Sequence, residues 1–194
     1  MIVTRFAPEP GMKPRSGRLD DAVIVRDARP GELAEVGELR VTAYQAGGHM
    51  SPDSGYAPVL RALGATGEGT VLVAVPGEGD DRILGTVMLQ RWPEAGEVVA
   101  GRDEAEVRAL AVSPEGQGLG TGSTLLQAAI ERAAQAGVRH LVLLTQPDMR
   151  AAQHLYRQAG FRRLPDRDWS PVPGVTLLAY GLPLTPTARP AGAS

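Results

Sequence analysis

The chain narrows its own folding options most at residues 106–123. Glu106-Val107-Arg108-Ala109-Leu110-Ala111-Val112-Ser113-Pro114-Glu115-Gly116-Gln117-Gly118-Leu119-Gly120-Thr121-Gly122-Ser123 reads as a strand, a glycine-rich loop and the start of a helix. Leu110, Ala111 and Val112 form the short apolar run of a buried strand. Pro114 removes a backbone donor and ends the ladder. Gly116, Gly118, Gly120 and Gly122 alternate through the loop, and good helix formers follow from Ser123. Glycine lets a backbone come close to a ligand. The first turn of a helix leaves amide N–H groups without partners, and with the helix dipole these favour phosphate. Val138 to Thr145 is a nearly continuous apolar strand, expected to be buried on both faces. A strand–helix–strand unit of this kind is a right-handed crossover, which predicts two parallel strands.

The rest of the chain supplies elements on both sides. Residues 22–26 predict a first strand. A helix opens near Pro30 and carries Leu33, Val36, Leu39 and Ala43 on one face before Gly47-Gly48. Tyr56, Val59, Leu60 and Leu63 suggest a short second helix. Residues 70–75 and 82–90 read as a hairpin, with Gly85 marking a bulge or a close approach. The helix after the glycine loop presents Leu126, Ile130, Ala133 and Ala134, and Gly137 closes it. Asp148 is the expected N-cap of a last helix that presents Ala152, Leu155, Tyr156 and Ala159 and ends at Gly160. Residues 162–164 and 175–182 read as final strands. Residues 1–20 read as a flexible arm, 21–184 as one domain and 185–194 as a flexible tail. The order β-α-α-β-β-β-α-β-α-β-β is that of an α/β chain with a mixed sheet.

Several chemistries are excluded by what the chain lacks. Cysteine is absent, so there are no disulfides, thiolate nucleophiles or cysteine metal sites. Three histidines, far apart in sequence, argue against a zinc site, and no metal is expected. The single lysine, Lys13, lies in the arm, which argues against Schiff-base chemistry. A net charge of −2 without a basic stripe argues against nucleic acid. No apolar run reaches membrane-spanning length. The N-terminus lacks the apolar core of a signal peptide, so a cytoplasmic protein is the expectation.

The loop itself leaves the phosphate ligand open. It has no lysine, as a nucleotide P-loop requires. Its glycines read Gly-x-Gly-x-Gly, not the Gly-x-Gly-x-x-Gly of a dinucleotide site. The segment Gln117-Gly118-Leu119-Gly120-Thr121-Gly122 does read Gln-x-x-Gly-x-Gly, and Ala152-x-x-Leu155-Tyr156-x-x-x-Gly160-Phe161 follows at the right distance. With these two motifs the chain resembles the GNAT superfamily of N-acetyltransferases from about residue 22 to residue 184. One departure is Met149, where the family often has an Asn that contacts CoA.

The resemblance implies the GNAT fold, a mixed central sheet with helices on both faces, and acetyl-CoA as co-substrate. It implies that Leu110, Ala111 and Val112 pair with pantetheine, and that the Val112 amide faces the thioester. Gln117, Gly118, Leu119, Gly120, Thr121 and Gly122 would hold the pyrophosphate, with Ser123 adding a hydroxyl or capping the helix. Tyr156 is implied as general acid toward the leaving thiolate. Glu106 is implied as base, acting directly or through water, with Glu104 and Asp103 competing for the role. His49, Tyr44, Asp53 and Tyr56 could line an acceptor pocket. The expected activity is direct acetyl transfer to a primary amine, on a small molecule or on a protein. A homodimer is common in such enzymes. The alternative is a non-catalytic acyl-CoA-binding or regulatory module on the same fold.

Overall fold

Alternating apolar strands and one-faced helices leave a single economical arrangement, a sheet covered on both sides. The computed structural model describes residues 23–77, 79–96, 98–172 and 174–185. The expected arm at 1–20 lies outside these residues, as does all of the expected tail except Thr185. The strands are β1 (Val23–Asp27), β2 (Thr70–Pro76), β3 (Gly85–Arg91), β4 (Glu104–Val112), β5 (His140–Thr145), β6 (Arg162–Arg163) and β7 (Leu178–Pro183). The helices are α1 (Leu33–Ala46), α2 (Ala57–Ala62), α3 (Thr121–Gln135) and α4 (Arg150–Gln158). They form one mixed sheet in the order β1-β2-β3-β4-β5-β7-β6. Neighbours are antiparallel except β4 and β5, which are parallel, as the crossover predicts.

Burial divides the sheet into two faces. Leu72, Ala74, Val87, Leu89, Ala105, Val107, Leu141 and Leu143 pack under α3 and α4, with Leu125, Leu126, Ala129 and Tyr156 among them. Val71, Val73 and Met88 point to the other face and meet Val36 of α1. There Val41 packs with Leu60 of α2. Farther along this face Val98 and Val99 cover Val142 and Ala179.

Several boundaries differ from the sequence reading. β3 begins at Gly85 rather than at 82, and at Gly85 it runs too close to β4 to carry a side chain. A Cβ on Gly85 would stand 2.8 Å from the Ala111 carbonyl oxygen. β7 begins at Leu178, preceded by an isolated Trp169–Leu177 bridge. α4 begins at Arg150, with Met149 at its N-cap position and no side-chain cap. The expected cap, Asp148, instead lies 3.2 Å from the His49 ring. Gly160 takes the left-handed conformation at φ 92°, and the Phe161 amide bonds back to the Tyr156 carbonyl, as expected.

Candidate functional site

β4 and β5 pair only from Glu104–His140 to Val107–Leu143. Beyond that point they part. β4 stays with β3, but Met88 faces Arg108 while Thr86 faces Ala111. Ala109 and Leu110 therefore stand opposite the single residue Val87, which is a β-bulge. Ala109 has φ 50°. A side chain in that region costs about 1–2 kcal/mol, so the surrounding structure must impose it. The bulge bends β4 away from β5, whose Leu144 and Thr145 pair with β7 alone. The β5-facing edge of β4 thus has no ladder partner from Arg108 to Val112. The sequence reading placed Leu110, Ala111 and Val112 on this strand but gave no sign of the bulge.

The glycine loop closes one end of this wedge. Ser113 caps a short 3-10 turn at Pro114–Gly116, its Oγ accepting the Gly116 N–H at 3.2 Å. The Thr121 hydroxyl is buried and donates to the Gly116 carbonyl at 2.8 Å, which pins the loop to the helix. Gly118 and Gly120 lie at φ 76° and 77°, where an L side chain is disfavoured. α3 starts at Thr121, earlier than the expected Ser123, because Gly120 serves as its N-cap. Ser123 therefore lies inside the first turn. The first bond from the helix runs from the Thr124 amide to the Gly120 carbonyl, 3.0 Å, so the amides of Thr121, Gly122 and Ser123 precede it. These residues, with Val112, Gln117, Gly118 and Leu155, line a concavity of ≈ 220 Å³. Leu119 stands outside that lining and is exposed.

Tyr156 stands on α4, in the core under the α3 side of the sheet. Its ring is buried against Phe161 and Tyr180, with centroids 6.1 and 6.3 Å away. Burial pushes its phenol pKa upward, and the Tyr44 phenol adds to the shift. Tyr44 belongs to α1, on the opposite face of the sheet, so the two phenols sense each other across the gap. Burial likewise pushes Tyr44 up to about 12. Both hydroxyls keep their protons at neutral pH.

Glu106 lies on the α1 face of β4, in the closed part of the wedge, opposite Val142. It is buried, at 4% exposure. Desolvation raises its pKa, against the opposing pull of Arg108, 3.6 Å away, and of the Gly96 amide, 3.1 Å away. Its competitor Glu104 is committed elsewhere. Both Glu104 oxygens accept from Arg167 at 2.7 Å, one also meets His140 at 2.9 Å, and the Arg167 guanidinium holds its pKa down to about 2. A carboxylate so held is a poor base. Asp103 is exposed, at the turn before β4, where its carbonyl accepts the Arg139 and His140 amides.

The acceptor-side residues are only partly gathered. Tyr44 and Tyr56 lie near Arg40 and Arg108 on the α1 face. His49 instead joins the loop after α1 to the β5–α4 loop, through Asp148 and through its carbonyl, which accepts from Gln146 at 3.1 Å. Asp53 is exposed. Arg40 is the residue that sequence reasoning missed. It lies four residues after Val36 and four before Tyr44, so a charge within the buried stripe was the available signal. Among the described residues, no group of three or more His, Cys, Asp or Glu could hold a metal ion. No described helix is long and apolar enough to cross a membrane.

Residues 35–161 match the acetyltransferase (GNAT) family, and the chain belongs to it. A mycothiol acetyltransferase from Cellulomonas flavigena is 34% identical over 110 residues, covering 55% of this chain and 31% of that protein. The chain thus spans about a third of the length of this curated relative. Among solved structures, a GNAT-family acetyltransferase from Staphylococcus aureus Mu50 matches with a TM-score of 0.67 at 18% identity, over 84% of this chain and 100% of that one. An acetyltransferase from Salmonella typhimurium, described with its cofactor acetyl-CoA, matches with a TM-score of 0.60 at 21% identity, over 89% and 99%.

Proposed function

We propose that the chain transfers the acetyl group of acetyl-CoA to a primary amine, on a small molecule or a protein, in one direct step. The observation that carries this reading is the wedge: a strand edge without a partner, ending at a loop whose amides precede the first helical bond. Such an edge suits an extended, amide-containing chain as an added strand. The loop amides and the helix dipole suit a diphosphate without any cation. The bound thioester supplies the activated acetyl group. Glu106 takes the proton that the amine must lose, directly or through water. The nitrogen–carbon bond forms and the carbon–sulfur bond breaks. Tyr156, kept protonated by its burial, supplies the proton that the sulfur needs. A main-chain amide near Val112 polarises the carbonyl.

The test has two parts. Titration calorimetry with CoA should show binding, and acetyl-CoA with a broad amine library should release CoA for at least one member. Absence of CoA binding would defeat the proposal. Binding without turnover for any amine, including protein N-termini and lysines, would leave the non-catalytic module.

A further inference from the structure

Arg40 is fully buried, at 0% exposure, in the middle of α1. Its Nη1 donates to the carbonyls of Leu63, at 2.6 Å, and Leu60, at 3.4 Å, at the end of α2. Its Nε and Nη2 have no hydrogen-bond partner. Those two nitrogens form one edge of the guanidinium, and their parallel N–H groups match the two oxygens of a carboxylate.

The charge around this edge points the same way. The Tyr44 and Tyr56 phenols and the Arg108 guanidinium lie near Arg40, and among the described residues no carboxylate bonds to it. Burial pulls the Arg40 pKa down to about 10, and the nearby positive charge of Arg108 pulls in the same direction. Arg108 is partly answered by Glu106, 3.6 Å away, and by the Gln90 amide oxygen, 2.9 Å away. Among the described residues, Arg40 has only the two carbonyls at Nη1 and no carboxylate among its hydrogen-bond partners. A buried cation with an open donor edge is costly unless an anion or a water completes it. Solvent meets the cluster at its rim, where the Arg108 side chain is 26% exposed and Tyr56 is 43% exposed.

We propose that the acceptor amine also carries a carboxylate, and that this carboxylate enters from the Arg108 rim and pairs with the buried, unpaired edge of Arg40. The acceptor class is then that of amino acids and amines with an equivalent anionic arm. Glu106, Arg108 and Arg40 would together orient it, with the amine toward the wedge and the anion toward α1. This inference rests on the acetyl-transfer reading for the amine but not for the anion.

The experiment uses matched pairs that differ only at the anion. Amino acids and their carboxamides are compared as acceptors with acetyl-CoA. N-acetyl amino acids and their carboxamides are titrated calorimetrically onto the CoA-loaded protein. The carboxylate members should be preferred by about 10- to 100-fold, the scale of charge-assisted hydrogen bonds. Arg40→Met and Arg108→Gln should each erode the preference. Arg40 also holds the end of α2, so thermal unfolding of Arg40→Met is measured alongside, and Arg108→Gln decides if that variant does not fold. Equal treatment of carboxylates and carboxamides by the wild type overturns the proposal. So does a preference that survives in the folded variants, or failure of every carboxylate-bearing compound to bind or react. Tight binding of the acetylated carboxylates with no turnover of any amine would refute acetyl transfer and leave the anion site standing. Turnover without carboxylate preference would do the reverse.

Discussion

Two glycines of the loop are asked to do different things, and substituting each with alanine separates conformation from access. Gly120 lies at φ 77° with open space where a Cβ would go. Gly120→Ala therefore meets no clash, and its cost is the left-handed backbone alone, about 1–2 kcal/mol. For a domain of this size that is a fall in Tm of about 2–8 °C. Gly122 lies within α3, and a Cβ there would make ordinary contacts with Leu155 at 3.5 Å and Val112 at 3.7 Å. Gly122→Ala should hold or raise stability by up to about 1 kcal/mol, since glycine is a poor helix residue. The new methyl would enter the concavity that Gly122 lines, so CoA affinity should fall although the fold does not suffer. Thermal unfolding with and without CoA, and calorimetry, read both effects. A Gly120→Ala protein as stable as wild type would refute the conformational argument. A Gly122→Ala protein that binds CoA as tightly as wild type would remove the first-turn amides from the ligand site.

Three further outcomes follow from the buried groups. Tyr156→Phe should lower turnover by about 10²-fold or more while leaving CoA affinity nearly unchanged, as read by steady-state kinetics beside calorimetry. Glu106→Gln should lower turnover on the same scale and remove an acid limb from the kcat/KM profile that lies above the ordinary carboxylate range. Its folded pKa is raised, so its contribution to stability is complete below the unfolded value of 4.5 and is lost as pH rises through the folded value. Urea unfolding should therefore find Glu106→Gln at least as stable as wild type at neutral pH. Glu104 has the opposite sign. Its stabilisation is present above 4.5 and is lost as pH falls toward about 2, and Arg167→Met should flatten that part of the stability profile.

The order of elements was legible because apolar runs of the right length and period are separated by strong punctuation. Gly137 and Gly160 end their helices with left-handed φ of 78° and 92°, and β4 and β5 are parallel. The loop at 113–122 was legible for the same local reasons. The wedge was not. Ala109 looks like any strand residue, and its positive φ arises from a mismatch with β3, which local sequence does not encode. Asp148 failed as a cap because a histidine 99 residues away competes for it. α1 buries Arg40 beside Val36 and Val41, and a hydrophobic-period reading discards a charge at such a position. Glu106 and Glu104 are chemically equivalent in the sequence. Only their surroundings set their pKa values apart: burial raises that of Glu106, and the Arg167 guanidinium lowers that of Glu104.

The bulge in β4 also bears on what could pair with the sheet. A row of unsatisfied strand amides on the rim of a sheet is a template for another molecule's strand, and proteins guard such rims with charge, proline or short length. Here the unsatisfied row sits in the middle of the sheet, between strands that remain tied together lower down. The slot is bounded by β4 on one side and β5 on the other, so a strand from a second folded copy would have to enter between two strands of one sheet. In the proposed reading the occupant is a thin, flexible chain, and the slot would select by cross-section before any side chain is consulted.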